Sequence, residues 1–122
     1  MLAHQDRLDH GMVATLRELT DMGSPDFLGE LISLFLDSFS GQLGLLFGYV
    51  ETGDMCGLQR ISRDLKSSSA SVGAVVLASH CAELEAMVRA GNARGTSAIV
   101  WRIVDEFKAV RPELDALLLA PV

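Results

Sequence analysis

Every long segment of this 122-residue chain places its apolar residues three and four apart, and none alternates apolar with polar. A repeat near 3.6 residues is that of a helix with one buried face, whereas a half-buried strand repeats every two. The clearest case starts at Leu28 and continues through Ile32, Phe35, Phe39, Leu43, Leu46 and Val50. An apolar stripe of that length has to be covered by other helices. The pattern therefore predicts an all-α fold.

Four further helices follow from the same periodicity. A first helix over about residues 5–22 carries Leu8, Val13, Leu16 and Leu19 and stops at Gly23. Ser24, Pro25 and Asp26 then read as a helix start: a capping side chain, a residue suited to the first turn, and a negative charge at the positive dipole end. Within the second helix, Gly41, Gly44 and Gly48 each cost about 1 kcal/mol relative to alanine, and are expected to admit a neighbouring helix. Thr52-Gly53-Asp54 reads as a turn, with Asp54 capping a third helix. Leu58, Ile61, Leu65 and Val72 form the inner face of that helix, which Gly73 ends. The fourth helix points Leu77, Cys81, Leu84 and Val88 inward and stops at Gly91-Asn92. The fifth covers about residues 96–119, with Ile99, Ile103, Phe107 and Leu114 inward, and Pro112 is expected to kink or interrupt it. Trp101 reads as a residue partly buried in the bundle, with an exposed docking aromatic as the alternative. Short turns between amphipathic helices predict an antiparallel up-and-down four-helix bundle with an additional N-terminal helix, residues 1–122 forming one domain.

Composition narrows the function. Hydrophobic residues make up 49% of the chain, enough for a full core. A net charge of -6 argues against nucleic acid and acidic membranes as partners. The N-terminal residues lack an apolar signal region, and the apolar runs at residues 72–78 and 116–122 are too short to span a bilayer, so no membrane insertion and a cytoplasmic location are expected. Cys56 and Cys81 lack metal or redox spacing and read as ordinary thiols, Cys81 in the core. No phosphate loop, zinc-type ligand cluster or Ser/His/Asp set occurs, so neither cofactor nor metal is expected.

The stretch ISRDLKSSSASVGA, from Ile61 to Ala74, singles itself out. At about 100° per residue, Arg63 lies opposite the inner stripe of the third helix, with Arg60 and Lys66 flanking it at about 120° from the stripe. Ser67 and Ala70 share this outward face. The result is a basic strip on an acidic protein, in which Asp64 can pair with Arg60 for a few tenths of a kcal/mol.

The order Ser62-Arg63-Asp64-Leu65-Lys66-Ser67-Ser68-Ser69, then Gly73-Ala74, then Leu77, Cys81, Leu84 and Glu85, resembles the pattern A-H-x-L-K-G-S-S-x-x-x-G-A and L-x-x-x-C-x-x-L-E of histidine-containing phosphotransfer (HPt) domains. Upstream, Pro25-Asp26-Phe27-Leu28, Leu34-Phe35-Leu36 and Gly53-Asp54 are similar too, so the likeness covers nearly the whole chain. It implies a phosphorelay protein that docks the receiver domain of a response regulator, or a sensor histidine kinase, on the face bearing the phospho-accepting histidine. In this chain Arg63 stands at that position, Ser67 replaces a glycine that leaves room for the partner, and Ser62 replaces an alanine. Lys66, which in the family balances the charge of the phosphohistidine, is kept, and Ser68 and Ser69 read as scaffold. A guanidinium stays protonated and is a poor nucleophile. The resemblance thus implies a pseudo-HPt domain, monomeric, with Arg60, Arg63, Lys66, Ser67 and Ala70 as partner-binding residues and no catalytic residue. Two other readings compete: an active phosphotransfer protein using another histidine such as His80, or a structural or dimerising bundle within a larger signalling protein. An engineered Arg63 is a further possibility, against which the accompanying change at Ser67 argues. His80 reads as a boundary residue, and His4 and His10 as solvated.

Overall fold

A computed structural model describes residues 6–22, 26–92 and 94–119. The expected stop at Gly23, the cap at Ser24, the first-turn proline Pro25, and His4 lie outside the described residues. Five helices follow in order: α1 (His10–Met22), α2 (Phe27–Thr52), α3 (Met55–Ser71), α4 (Val75–Arg89) and α5 (Thr96–Leu119). No strand occurs among the described residues. Consecutive helices from α2 to α5 run antiparallel through short turns, and α2 also packs on α5, which closes a four-helix bundle; α1 packs against α2.

Local chemistry sets the turns. Gly53 takes the left-handed φ of 71° that ends α2, and Asp54 caps α3 by accepting a 2.9 Å bond from the Gly57 N–H. Gly73, at φ 76°, ends α3, and the following Ala74 N–H returns to the Ser69 carbonyl at 2.9 Å. The predicted inner faces of the bundle helices are buried, from Leu28, Ile32, Phe35, Phe39 and Leu46 on α2 to Ile99, Ile103, Phe107 and Leu114 on α5, except that Leu43 and Val50 of α2 are half-buried. At the centre the rings of Phe39 and Phe107 stack at 4.5 Å, with Phe35 at 5.4 Å from Phe39.

The most extensive helix contact is that of α3 with α4. Ser62 and Ser69 are fully buried in α3, and such small side chains let a second backbone come close. Their hydroxyls donate to the carbonyls of Gln59 at 3.1 Å and Leu65 at 2.7 Å, so burial leaves neither donor unsatisfied. Cys81 of α4 lies in the same contact; burial pushes its thiol up to about 12 against a bond with Ser69 that lowers it.

The structure corrects five expectations. The first helix begins at His10, not near residue 5: Asp9 Oδ1 accepts from the N–H groups of Gly11 at 2.9 Å and Met12 at 3.3 Å, a cap that sets the start. Before it the chain is extended, Leu8 bridging to Ala74 with Asp9 N to Gly73 O at 2.7 Å and Val75 N to Arg7 O at 3.1 Å. Arg7 then ties this segment to α5 through Glu106 at 3.3 Å and Glu113 at 3.6 Å. Leu8 is buried as expected, but from an extended segment.

Pro112 does not interrupt α5, which runs through it to Leu119. Pro112, Lys108 and Arg111 are all exposed, so the backbone bond that Pro112 cannot make is forfeited on the solvent side of the helix, where it costs least. Among the described residues, no neighbouring helix comes within 4 Å of the position a Cβ would take at Gly41, Gly44 or Gly48. Trp101 is 58% exposed, on the side of α5 away from its buried stripe, with its ring 5.6 Å from the exposed Phe47. The apolar runs at residues 72–78 and 116–122 are not the longest: α2 is a 26-residue helix whose most apolar stretch has a mean hydropathy of 1.4, long and apolar enough by those measures to cross a membrane. In the fold its stripe packs on α3 and α5, while Leu34 and Leu45 remain exposed.

Two outcomes follow. Phe39→Ala removes the central ring of the stack and lowers unfolding free energy by about 3–5 kcal/mol in urea denaturation. In the native protein a maleimide labels Cys56, which is exposed, while Cys81 reacts only after denaturation, as mass spectrometry of the labelled chain reads out.

Candidate functional site

Arg60, Arg63, Ser67 and Ala70 are exposed and Lys66 is half-buried, all on the solvent side of α3, as the helical count predicts. The inner positions Leu58, Ile61, Leu65 and Val72 fix this orientation by anchoring the opposite side in the core. The strip is not continuous, however. Arg60 lines a small hollow between α2 and α3 with Gln42, Leu45, Tyr49, Ile61 and Asp64. Arg63 and Lys66 bend the other way, towards α4.

They bend because of Glu85. This carboxylate projects from α4 into the groove beside α3, where its side chain keeps only 8% of its exposure. Lys66 Nζ donates to Glu85 Oε1 at 2.8 Å and Arg63 Nε donates to Oε2 at 3.2 Å. Arg89, one turn further along α4, brings Nη2 to 3.9 Å from Oε2. A buried carboxylate is costly unless paired and hydrogen-bonded, and here both oxygens are bonded to cations. The Lys66 bond holds the Glu85 carboxyl below its usual range, with the Arg63 bond and the charges of Lys66 and Arg89 adding to it; burial works in the opposite direction.

Arg63 therefore points outward, with 55% of its side chain exposed, yet is fastened at Nε. It borders a second depression of about 360 Å³ with Cys56, Gln59, Arg60 and Asp64. The pairing of Asp64 with Arg60 does not form among the described residues. The expected set is thus gathered on one face, but Arg60 stands apart from the Arg63–Lys66 pair.

Sequence reasoning missed Glu85 as a site residue and Arg89 altogether. Two signals were present: a carboxylate next to the buried Leu84, and Glu85-x-x-x-Arg89, the favourable order for an i,i+4 pair. Among the described residues, neither His10 nor His80 pairs with the residues of this face. His80, half-buried, lies about 140° around α4 from Glu85 by helical count. His10, at the start of α1, faces Asp6 at 3.5 Å.

Because its folded pKa lies below the ordinary value of 4.5, Glu85 contributes stability that is complete above that value and lost as pH falls towards the lower, folded pKa. Glu85→Gln is expected to cost about 1–2 kcal/mol at pH 7, from the lost charged bonds across α3 and α4. The variant also loses less stability than the parent between pH 5 and 3, a difference that thermal melts across that range measure.

Comparison with known proteins agrees with this architecture. A family model described as "Hpt domain" matches residues 30–118. Histidine-containing phosphotransfer protein 5 of Arabidopsis thaliana is 29% identical over 119 residues, which cover 95% of this chain and 75% of that protein. Histidine-containing phosphotransfer protein 2 of the same plant is 28% identical over 81% of this chain and 65% of its own length. Among solved structures, histidine-containing phosphotransfer protein B of Pseudomonas aeruginosa superposes with a TM-score of 0.84 at 24% identity, covering 97% of this chain and 100% of that one. The maize histidine-containing phosphotransfer protein ZmHP2 gives 0.85 at 24% identity over 93% and 83%. The bundle, its helix order and the matched residues make this chain a member of the Hpt domain family, whose members mediate phosphotransfer in two-component signalling.

Proposed function

We propose that this protein is a phosphorelay module in which Arg63 occupies the place of the phospho-accepting histidine, so that it binds a receiver domain or a sensor histidine kinase without carrying a phosphoryl group. The observation that carries the reading is the side chain at the centre of the exposed α3 face: a guanidinium, fastened to Glu85, with no imidazole near it among the described residues. A guanidinium holds its proton at any physiological pH and cannot act as the nucleophile.

Recognition rests on charge and on apolar area. Arg63 and Lys66 meet the acidic phospho-acceptor site that receivers carry, through charge-assisted contacts. The exposed Leu45 of α2, which lines the hollow with Arg60, adds apolar area on that side. Occupying a receiver in this way competes with true phosphotransfer. This domain binds its partner as a monomer, with no cofactor of its own. Arg60, Ser67 and Ala70 complete the contact surface, Ser67 narrowing the choice of partner by its hydroxymethyl group.

Two measurements test this. Incubated with a phosphorylated receiver or kinase, the protein is expected to take up no label; uptake that disappears in His80→Ala transfers the role to His80. In titrations with purified receivers, Arg63→Ala is expected to weaken binding about tenfold and Arg63→Glu to weaken it further, because removing an interface charge costs affinity. Unchanged affinity in Arg63→Glu removes Arg63 from the interface. A stable dimer in sedimentation, together with no binding to any receiver, favours a structural bundle.

A further inference from the structure

Trp101 is the chain's only tryptophan, and it stands 58% exposed against Phe47, itself 39% exposed, with ring centroids 5.6 Å apart. Neither ring belongs to the buried core. A single exposed apolar residue needs no explanation, but two aromatic rings in contact, one from each of two helices, make a patch of the kind that docks partners. Gly44, one turn before Phe47, and Gly48, next to it, add no side chain that could shield the ring, and nothing lies within 4 Å of where their Cβ atoms would be.

The patch lies away from the rest of the functional surface. Helices α2 and α5 run antiparallel, so Phe47, near the end of α2, meets Trp101, near the start of α5. The other end of this helix pair is where α1 sits: it packs on α2, and its Arg17 Nη2 donates to the Leu117 carbonyl of α5 at 3.2 Å. Among the described residues α3 makes no contact with α5, which stands diagonally across the bundle from it. Trp101 is therefore remote from Arg63.

Charge selects the occupant. Over residues 43–51 of α2 and 97–105 of α5, about one turn to either side of the rings, the charged residues are Glu51, Arg102 and Asp105. Arg102 turns towards α4, where its Nη1 is 3.6 Å from Glu83 Oε2. Glu51 and Asp105 are exposed and enter no ion pair among the described residues. Because the helices are antiparallel, one carboxylate follows the rings on each side along the groove. The next cations along α5 are Lys108, about 10 Å beyond Trp101, and Arg94, in the turn before the helix. The whole of α2 carries Glu30, Asp37 and Glu51 and neither lysine nor arginine. Such a flank repels nucleic acid and anionic membranes, and a second copy of a chain with net charge -6 would bring like charge to it. A cation suits it. A guanidinium stacks on an indole face and still presents its fork to a carboxylate, whereas an ammonium is the more strongly hydrated ion.

We propose that Phe47, Trp101, Glu51 and Asp105 form a second docking surface, which takes an arginine-bearing segment of a partner protein. It does not rest on the receiver-binding reading above. Placed on the flank away from α3, it leaves the Arg63 face open, so that the protein holds two partners at once.

Trp101 reports on the site directly, through its fluorescence. The full chain is titrated with a capped tetra-arginine peptide, and with tetralysine and tetraglutamate for comparison. A saturable change in Trp101 emission is expected with tetra-arginine, about two- to fivefold weaker binding with tetralysine, and no change with tetraglutamate. Glu51→Gln combined with Asp105→Asn is expected to weaken tetra-arginine about three- to tenfold, and Phe47→Ala to weaken it about threefold, while Glu18→Gln on α1 leaves it unchanged. Circular dichroism checks that each variant is folded. No saturable change, equal binding of tetralysine, or unchanged affinity in the double variant overturns the proposal. A shift of Trp101 emission with phosphatidylcholine vesicles instead of the peptide gives the patch to a membrane. Self-association in sedimentation that Phe47→Ala abolishes gives it to a second copy. Either result overturns the proposal too. A receiver domain that displaces the peptide overturns the separateness of the two surfaces. Peptide binding without receiver binding supports this surface and overturns the functional reading alone.

Discussion

The α3–α4 contact is the constraint on which the functional face depends. Its closeness rests on the buried Ser62 and Ser69, which take little space and bond their hydroxyls within their own helix. Leu65, Leu77, Cys81 and Leu84 fill the interior side of the same pair. Only because the two helices lie this near does a carboxylate on α4 reach two cations on α3. Packing decided by side-chain size in the core thus fixes the electrostatics at the surface. A larger residue at Ser62 would push the helices apart and loosen Arg63 without touching it.

The bundle was readable because each of its helices has one unbroken apolar stripe, and burial follows that stripe closely. Leu28, Ile32, Phe35, Phe39 and Leu46 on α2 and Ile99, Ile103, Phe107 and Leu114 on α5 are in the core where periodicity placed them. The turn at Gly53-Asp54 was readable for a similar reason, since a left-handed backbone and a carboxylate cap are local demands. What escaped notice depends on contacts between distant residues. Leu8 fits a helical wheel, yet its segment finds backbone partners in the turn before α4, and no pattern within residues 5–22 encodes that. Trp101 looked like interior material by residue type, but its angle on α5 puts it outside.

The candidate site divides in the same way. Helical angle alone sufficed to place Arg63 outward and to group it with Arg60, Lys66, Ser67 and Ala70 on one side of α3. The angle could not tell which way long side chains lean once outside. That depends on Glu85, nineteen positions from Lys66 and on another helix. A solvated strip and a fastened pair are the same string of letters. They differ in chemistry, because a fastened cation has already given up part of its hydration and rotamer freedom before any partner arrives.

The separation of charge on this molecule has a consequence for encounter. At distances beyond the Debye length, about 8 Å at physiological ionic strength, the field is weak, and what remains is that of an anion. Closer in, the cluster around Glu85 dominates its own neighbourhood. An acidic visitor is therefore discouraged over most orientations and welcomed over one small solid angle. Such an arrangement filters approach geometry rather than accelerating capture, and lowering the salt concentration would sharpen the filter more than it would hasten association.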